Sequence, residues 1–531
     1  MEFKINLVHN NGFKWFGSRT LHVKGYAHTT QGEYIQGPSL FKYLANTLTG
    51  AESVRETAKG LNGVYTFIFI AEETLFLFSD KTRFFPIYYH LNGQTVSVTD
   101  EPVTLISEKD RLDKISCAEY QCTGFVTGSD TLIEDIKQVG AAALINFNGD
   151  KISQENQFSY RVSLDQLKHY KDPCNEMKLT MDNAATRFIN SIGDNTPVVP
   201  LSGGFDSRLI ACILKERGYE NTVCYTFGKY NKEVEISKRV AEKLGFKWYF
   251  IDYSEIETKR NLLNLEDFHS YYPYASRLTS MFFLMEYTAL EVLRNKALIP
   301  DNSVFLPGHS GDLLGGSQFI KNFKTNIQPN EIASQILKTK YIYYPIPNKQ
   351  KSVFKARVNS SLAIDEDSLG YSIMEDWDIK EKIAKFIFNA SQVYTYFGYN
   401  ARFFFWDRDL VEFFRTLPPE HKEYKILYDR CVKTNYFEKF NLNFEDEIVV
   451  SPKALNFQKI KELLKPWLPA RAKQYFMRRN DWCCYKEMST PMSKEIPVRK
   501  MKFLPYLSYS SILINWYLYK IEKLINNFQN F

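Results

Sequence analysis

A chain of 531 residues with 44% hydrophobic and 24% charged content is long enough for at least two cores and has the composition of a folded protein. Its formal net charge of +6, from 67 Lys+Arg against 61 Asp+Glu, is too small for this length to argue for a nucleic-acid partner, although it suits an anionic substrate. The eight cysteines, at 117, 122, 174, 212, 224, 431, 483 and 484, form no CxxC pair and have no accompanying His cluster. Reduced, buried thiols are therefore expected rather than a zinc site or a disulfide framework.

The opening "MEFKINLVHNNGFKWFG" has no apolar signal core, and stretches such as "MFFLMEYTALEVL" are too short and too charged to span a bilayer. A cytoplasmic location without a stable membrane span is expected. Residues 1–165 read as an antiparallel β-rich domain. "VYTFIFI", "TLFLFS", "PIYYHLNGQTVSVT" and "ALINFNGDKISQ" are β-branched or aromatic runs, with hairpin turns at Asn92-Gly93 and Asn148-Gly149-Asp150. A polar stretch, "YRVSLDQLKHYKDPCNE", marks the boundary to a second domain over 175–531.

In that second domain strands alternate with helices. "TPVVPLS", "NTVCYTFG" and "KWYFIDYS" read as strands, and "SRLIACILKERG" and "KEVEISKRVAEKLG" as the helices between them. This pattern predicts an α/β fold with a parallel sheet and helical crossovers, followed by a mostly helical extension beyond residue 330. The aromatic-rich "FLPYLSYSSILINWYLYKIEKLINNF" is expected to be a helix packed on this domain, with an interfacial membrane helix as the alternative.

Between the first strand and helix lies "LSGGFDS", residues 201–207. Two adjacent glycines at a strand-to-helix turn bring bare N–H groups to a helix N-terminus, where an anion is favoured, and Ser202 and Ser207 add hydroxyls. Asp206 would repel a phosphate there unless a cation sits between them, which points to Mg²⁺ held jointly by carboxylate and phosphates. The GxxxxGK[ST] pattern is absent, so the loop is not a Walker A.

"LSGGFDS" after an apolar strand resembles the PP-loop of the N-type ATP pyrophosphatases, and its context is similar to the asparagine synthetase family. "LNGVYTFIFIAEETLFLFSDKTRFFPIYY" (61–89) resembles that family's N-terminal glutaminase segment, and "LPGHSGDLLGG" (306–316) its second phosphate loop, SGxGxDELFGG. "ARFFFWDRDLVEFFRTLPPEHK" (401–422) and "YKILYDR" (424–430) look like its R-x-P-F-L-D and K-x-x-L-R segments.

The resemblance implies an Ntn-hydrolase-like domain followed by a PP-loop synthetase domain that uses ATP and Mg²⁺. It implies that Leu201, Ser202, Gly203, Gly204, Asp206 and Ser207 surround the phosphates, with Gly308 from the second loop. Asp206 and Asp312 would hold the metal, Lys425 would place a cation on the pyrophosphate or the intermediate, and Thr226 and Phe227 would contact the adenine.

Three departures narrow the expectation. Glutamine-dependent members carry Cys directly after the initiator Met, but position 2 is Glu2 and no Cys occurs before Cys117, so a relic without glutaminase activity is expected. In the second loop, His309 stands where the family has the Glu that serves ammonia attack, Leu313 follows Asp312, and the loop is one residue short. His309 is therefore a candidate base, with phosphate contact as its alternative role. Arg430 lies one position later than the family's Arg.

The expected activity is an AMP- and pyrophosphate-forming amide ligase acting on a small-molecule, sugar or peptide carboxylate, with an amine donor that another protein supplies. The alternatives are asparagine synthetase proper and a catalytically dead scaffold. PP-loop sulfur transfer would want paired cysteines at the loop, which Cys212 and Cys224, in a helix and a strand, do not provide.

Overall fold

The computed structural model describes all residues except 150, 320–328, 365–366, 445–477, 498–507 and 530–531. Asp150 of the expected turn, part of the helical extension and the start of the C-terminal aromatic stretch thus lie outside the described residues.

In the first 160 residues two sheets face each other. Strands β1 (Glu2–Asn6), β2 (Phe16–Gly17), β3 (Leu21–His28) and β4 (Tyr34–Gln36) come first. After them run β5 (Asn62–Ala71), β6 (Thr74–Ser79), β7 (Tyr88–Asn92), β8 (Thr95–Thr99), β9 (Ile136–Gln138), β10 (Ala143–Asn148) and β11 (Lys151–Asn156). One sheet has the order β1-β8-β7-β9, and the other runs β11-β10-β6-β5-β3-β2 with β4 beside β3.

The period-2 alternation of the sequence now has a physical meaning. In β5, Tyr65, Phe67 and Phe69 face a core completed by Leu40 and Leu44 of helix α1 (Pro38–Thr47) and Val54 of α2 (Ala51–Gly60). Ile68 faces the opposite way, against Val96 and Val98 of the other sheet. Most pairs are antiparallel as expected, but β1 joins β8 in parallel. The central β3 was not foreseen, since Lys24 and Gly25 interrupt its apolar pattern.

The polar boundary stretch is docked rather than free. The Tyr160 amide donates to Asp376 Oδ1 at 2.7 Å, and Val162 is buried against Leu369 and Tyr371.

Helix α3 (Lys114–Thr123) closes the helices of the first region, and the synthetase-like region begins with helix α4 (Pro173–Ile192). Its sheet, β14-β13-β12-β15-β16, is wholly parallel, from β12 (Thr196–Pro200), β13 (Val223–Gly228), β14 (Lys247–Asp252), β15 (Ser303–Phe305) and β16 (Asn400–Ala401). Helix α5 (Phe205–Glu216) crosses from β12 to β13, and α6 (Lys232–Leu244) from β13 to β14.

The chain leaves β12 to one side towards β13 and returns on its other side as β15. The carboxyl ends of β12 and β15 therefore flank the crevice where such sheets bind ligands. The loops at these two ends are the two glycine-rich segments.

The last described helix, Tyr509–Gln529, buries Leu513, Ile514, Trp516 and Tyr517 in the main core, which fits a packing helix rather than an interfacial one. Among the described residues, no helix is long and apolar enough to cross a membrane. One cysteine expectation is corrected: Cys174 and Cys431 form a disulfide, with Cα atoms 5.4 Å apart. They lie 257 residues apart, on α4 and on the helix Ile426–Val432 packed against it, so no local spacing could announce the pair.

Candidate active site

Loop 201–204 leaves β12 buried and emerges at the sheet edge. Leu201 N donates to Tyr225 O at 2.8 Å, and Leu201 O accepts from Thr226 Oγ1 at 2.7 Å. With both backbone groups hydrogen-bonded and its side chain in the core, Leu201 anchors the loop.

Ser202 and Ser207 bracket the turn, their hydroxyls 3.0 Å apart. Ser202 Oγ also accepts from the Gly204 amide at 3.2 Å, and Ser207 Oγ from the Ser202 amide at 3.1 Å. Beneath them the buried Arg208 donates to Gly203 O and Leu442 O, both at 2.8 Å, and packs over the Phe437 ring at 4.8 Å. Nothing in the motif signals this buttress, because its partners arrive from distant helices.

The second loop is pressed onto the first. A Cβ at Gly308 would stand 2.6 Å from Ser207 N, and one at Gly311 would stand 2.7 Å from Asp206 Cγ. Both distances are shorter than side chains tolerate, so these close approaches require glycine. They bring the backbone of the short helix Gly311–Leu314 onto the Asp206 carboxyl, where Asp312 N donates to Oδ2 at 2.8 Å.

The helix Ile426–Val432 supplies the other side, with the Tyr428 hydroxyl donating to Asp206 Oδ1 at 2.7 Å. Burial, with Asp312's charge next in weight, pushes Asp206 up to about 7, against the hydrogen bonds from Tyr428 and Asp312 and the nearby Lys425. Lys425 caps this helix in a left-handed conformation, φ 59°. Its ammonium lies 5.9 Å from the rings of Phe205 and Tyr428 and 3.3 Å from Asp429. Arg430 is exposed and takes no place among these groups.

His309 is pushed down to about 4 by burial, against the pull of Asp312. Its imidazole is therefore neutral at pH 7 and in the form that accepts a proton. Ser310, also left-handed at φ 81°, is buried with no partner for its hydroxyl among the described residues, a polar atom that a bound anion would satisfy. This residue was not among the sequence candidates.

At the β13 end, the Thr226 hydroxyl is spent on Leu201 O and on Ser237 Oγ, and it accepts from Trp248 Nε1. Only its backbone remains for a base. Phe227 stacks on Tyr253 at 5.5 Å and approaches Trp482 at 5.8 Å. The Trp482 carbonyl accepts from Lys229 N at 2.6 Å, so the C-terminal extension packs beside this strand end, which the sequence did not indicate.

The structure thus brings together Ser202, Gly203, Gly204, Asp206, Ser207, Gly308, Asp312 and Lys425. Among the described residues no group of three or more His, Cys, Asp and Glu side chains could hold a metal by itself. The Asp206 carboxyl, held towards its protonated form by burial and next by the charge of Asp312, instead fits an ion that brings its own oxygen ligands. Mg²⁺ on a polyphosphate is such an ion.

A parallel sheet that presents two Asp-bearing glycine loops at its switch point defines a nucleotide-using synthetase of the PP-loop class. Residues 191–426 match the family model described as Asparagine synthase, so the chain carries an asparagine synthase domain, that of an ATP-utilising carbon–nitrogen ligase. The match contains both loops and Lys425.

No curated protein matches the chain. Among solved structures it is similar to the NH3-dependent NAD synthetase from Campylobacter jejuni subsp. jejuni, at 15% identity over 37% of this chain and 98% of that one, with a TM-score of 0.20. It is also similar to an NMN synthetase from Francisella tularensis, at 11% identity over 39% and 93% of the chains, TM-score 0.19. A glutamine phosphoribosylpyrophosphate amidotransferase from B. subtilis aligns at 12% identity over 45% and 47%, TM-score 0.18.

Proposed function

We propose that the protein is an AMP-forming amide ligase that adenylates a carboxylate and passes it to a nitrogen nucleophile without glutaminase activity of its own. The observation that supports this reading is the seating of the second loop on Asp206, whose carboxylate accepts from the Asp312 amide and feels the Asp312 charge.

In the first step a carboxylate oxygen of the substrate attacks the α-phosphorus of ATP, the α–β bond breaks and pyrophosphate leaves. The Ser202, Gly203, Gly204 and Ser207 groups bind the phosphates at the N-terminus of α5, and Lys425 offsets the negative charge released on the leaving group. Asp206 and Asp312 would hold Mg²⁺, which when bound neutralises charge on the leaving pyrophosphate. In the second step the amine attacks the acyl carbon, AMP leaves, and the neutral His309 accepts the proton that the amine loses. The backbone of Thr226 and Phe227 is the expected contact for adenine.

Residues 1–165 are read as a degenerate Ntn-type domain, and 175–531 as the ligase. Glu2, paired by its amide to Gln94 O in β1, has no thiol to act as nucleophile. The seam to the synthase region is filled with rings. Phe84 meets Phe403 at 5.0 Å, Phe388 meets Phe403 at 4.8 Å, and Phe13 meets Phe85 at 5.0 Å.

The amine is then delivered by another protein, or, where a lactam closes, is the substrate's own. Fitting acceptors are an acidic sugar in surface-polysaccharide assembly, or a peptide or small metabolite closing an amide or lactam, in the cytoplasm and without nucleic acid.

ATP–pyrophosphate exchange against a panel of carboxylates tests the reading. Exchange that depends on one acid other than aspartate, and that is lost in Asp206→Ala, is expected. Exchange with aspartate alone would make the protein an asparagine synthetase, and none with any acid would leave a scaffold. Ammonia release from glutamine by the purified chain would overturn the relic reading.

A further inference from the structure

A cavity of about 610 Å³ opens between the β-rich region and the helix Arg408–Thr416, and no residue of either glycine loop lines it. Its volume lies within the ordinary range of small-molecule sites. Residues of both regions form its walls, so an occupant would touch both.

Most of the charged groups around it are already engaged. The Asp80 carboxylate accepts from Tyr65 N at 2.7 Å, Thr82 Oγ1 at 2.6 Å and Arg83 N at 3.2 Å. Arg415 grips Glu412 through two bonds of 2.7 and 2.8 Å. Arg408 donates to Gly60 O at 3.1 Å and lies 3.5 Å from Asp409.

Besides the exposed Lys59 and Asp367, two groups on the wall stand apart. Lys81, in the turn after β6, makes no hydrogen bond or ion pair among the described residues, and burial pushes its ammonium's pKa down despite the neighbouring Asp80. Gln157, just past β11, has its Oε1 buried without a donor among the described residues. A half-buried cation without an acceptor and a buried acceptor without a donor both carry a cost that a ligand of matching polarity removes.

We propose that this cavity binds a free α-amino acid, whose carboxylate pairs with Lys81 and whose N–H groups donate to Gln157 Oε1. An inorganic anion would satisfy Lys81 alone, whereas an amino acid answers both groups. The helix Arg408–Thr416 joins this cavity to the loop site, since it also packs on the helix Gly311–Leu314 that carries Asp312. Occupancy would then bear on how the second loop is held. The binding claim itself is independent of the ligase reading.

Thermal melting of the full chain, without ATP, against each free amino acid and against acetate and inorganic phosphate at matched ionic strength tests the proposal. A saturable rise in melting temperature with one or a few amino acids, and none with acetate or phosphate, is expected. Lys81→Met removes an unpaired charge, so it should fold and lose that rise. Gln157→Leu should weaken binding about 10-fold, the loss of one hydrogen bond to a charged group. The proposal is overturned if no amino acid gives a saturable shift, if acetate or phosphate shifts the melting as much, or if the response survives in both Lys81→Met and Gln157→Leu.

Discussion

At the carboxyl edge of the parallel sheet, Asp206 takes hydrogen bonds from Tyr428 and the Asp312 amide, but among the described residues neither Asp206 nor Asp312 is closed by an ion pair. At the seam between the β-rich region and the synthase region the polar groups are closed on one another. Arg187 holds Asp407 through two bonds of 2.7 Å, and Asn62 donates to the same carboxylate at 2.9 Å and accepts from Arg408 N at 2.8 Å. Arg402, fully buried, reaches Tyr34 and Gln36 of β4 and packs over Tyr26 at 4.4 Å.

Both places carry residues of the asparagine-synthetase-like segments, yet they do different work. Charge left open marks a place for a ligand, and charge closed by partners marks architecture. The "LNG" segment around Asn62 is therefore kept for docking the synthase region, whether or not the domain that carries it has any chemistry of its own.

The contrast can be broken at either end. Asp206→Ala should lower pyrophosphate exchange by about 10³, the scale of losing a main electrostatic group in a site, while the melting temperature stays level or rises as like-charge repulsion is relieved. Gly308→Ala should follow with about 10²-fold, because its Cβ would force the two loops apart and misplace the reacting groups. A fold check by circular dichroism separates that effect from unfolding.

Asp407→Asn should do the reverse. It is expected to cost about 1–2 kcal/mol in denaturant unfolding, by leaving the half-buried Arg187 with only the exposed Asp409 as counter-charge, and to spare exchange in the protein that remains folded.

The same pair sets a pH dependence. Burial alone would raise Asp407, but the Arg187 bonds outweigh it and hold its carboxyl below the usual range. Its contribution to stability is thus complete above the unfolded value of about 3.9 and is lost as pH falls through the lower folded value. Acid unfolding curves of Asp407→Asn should be flatter than wild type below about pH 4.

The smallest expected effect is that of Tyr428→Phe, about 10-fold in exchange, since it removes one hydrogen bond to Asp206 and keeps the ring.

Much of this was legible from residues that act locally. The strand alternation of β5, β6 and β10, the helices α5 and α6, and both glycine loops follow from patterns a few residues long. The unforeseen parts depend on elements far apart in the chain. Tyr428 and Arg208 become site residues only when the helix after Lys425 and the chain around Leu442 fold onto α5. Ser310 acquires significance only through burial. Lys24 and Gly25 hid β3, whose place is fixed by its neighbours β2, β4 and β5 rather than by its own pattern. The anchoring of Leu201 was not legible either, because a motif reports which residues recur in a loop, but not which of their groups point outward.

The central claim is that the two loops form a single site that splits ATP between the α and β phosphates. Phosphorus NMR of the products, with ATP, Mg²⁺ and the carboxylate that supports exchange, tests it most directly in the wild type, Asp206→Ala and Asp312→Asn. AMP and pyrophosphate from the wild type, and neither from the two variants, is the predicted result. ADP and phosphate as products, or turnover untouched in Asp312→Asn, would contradict it.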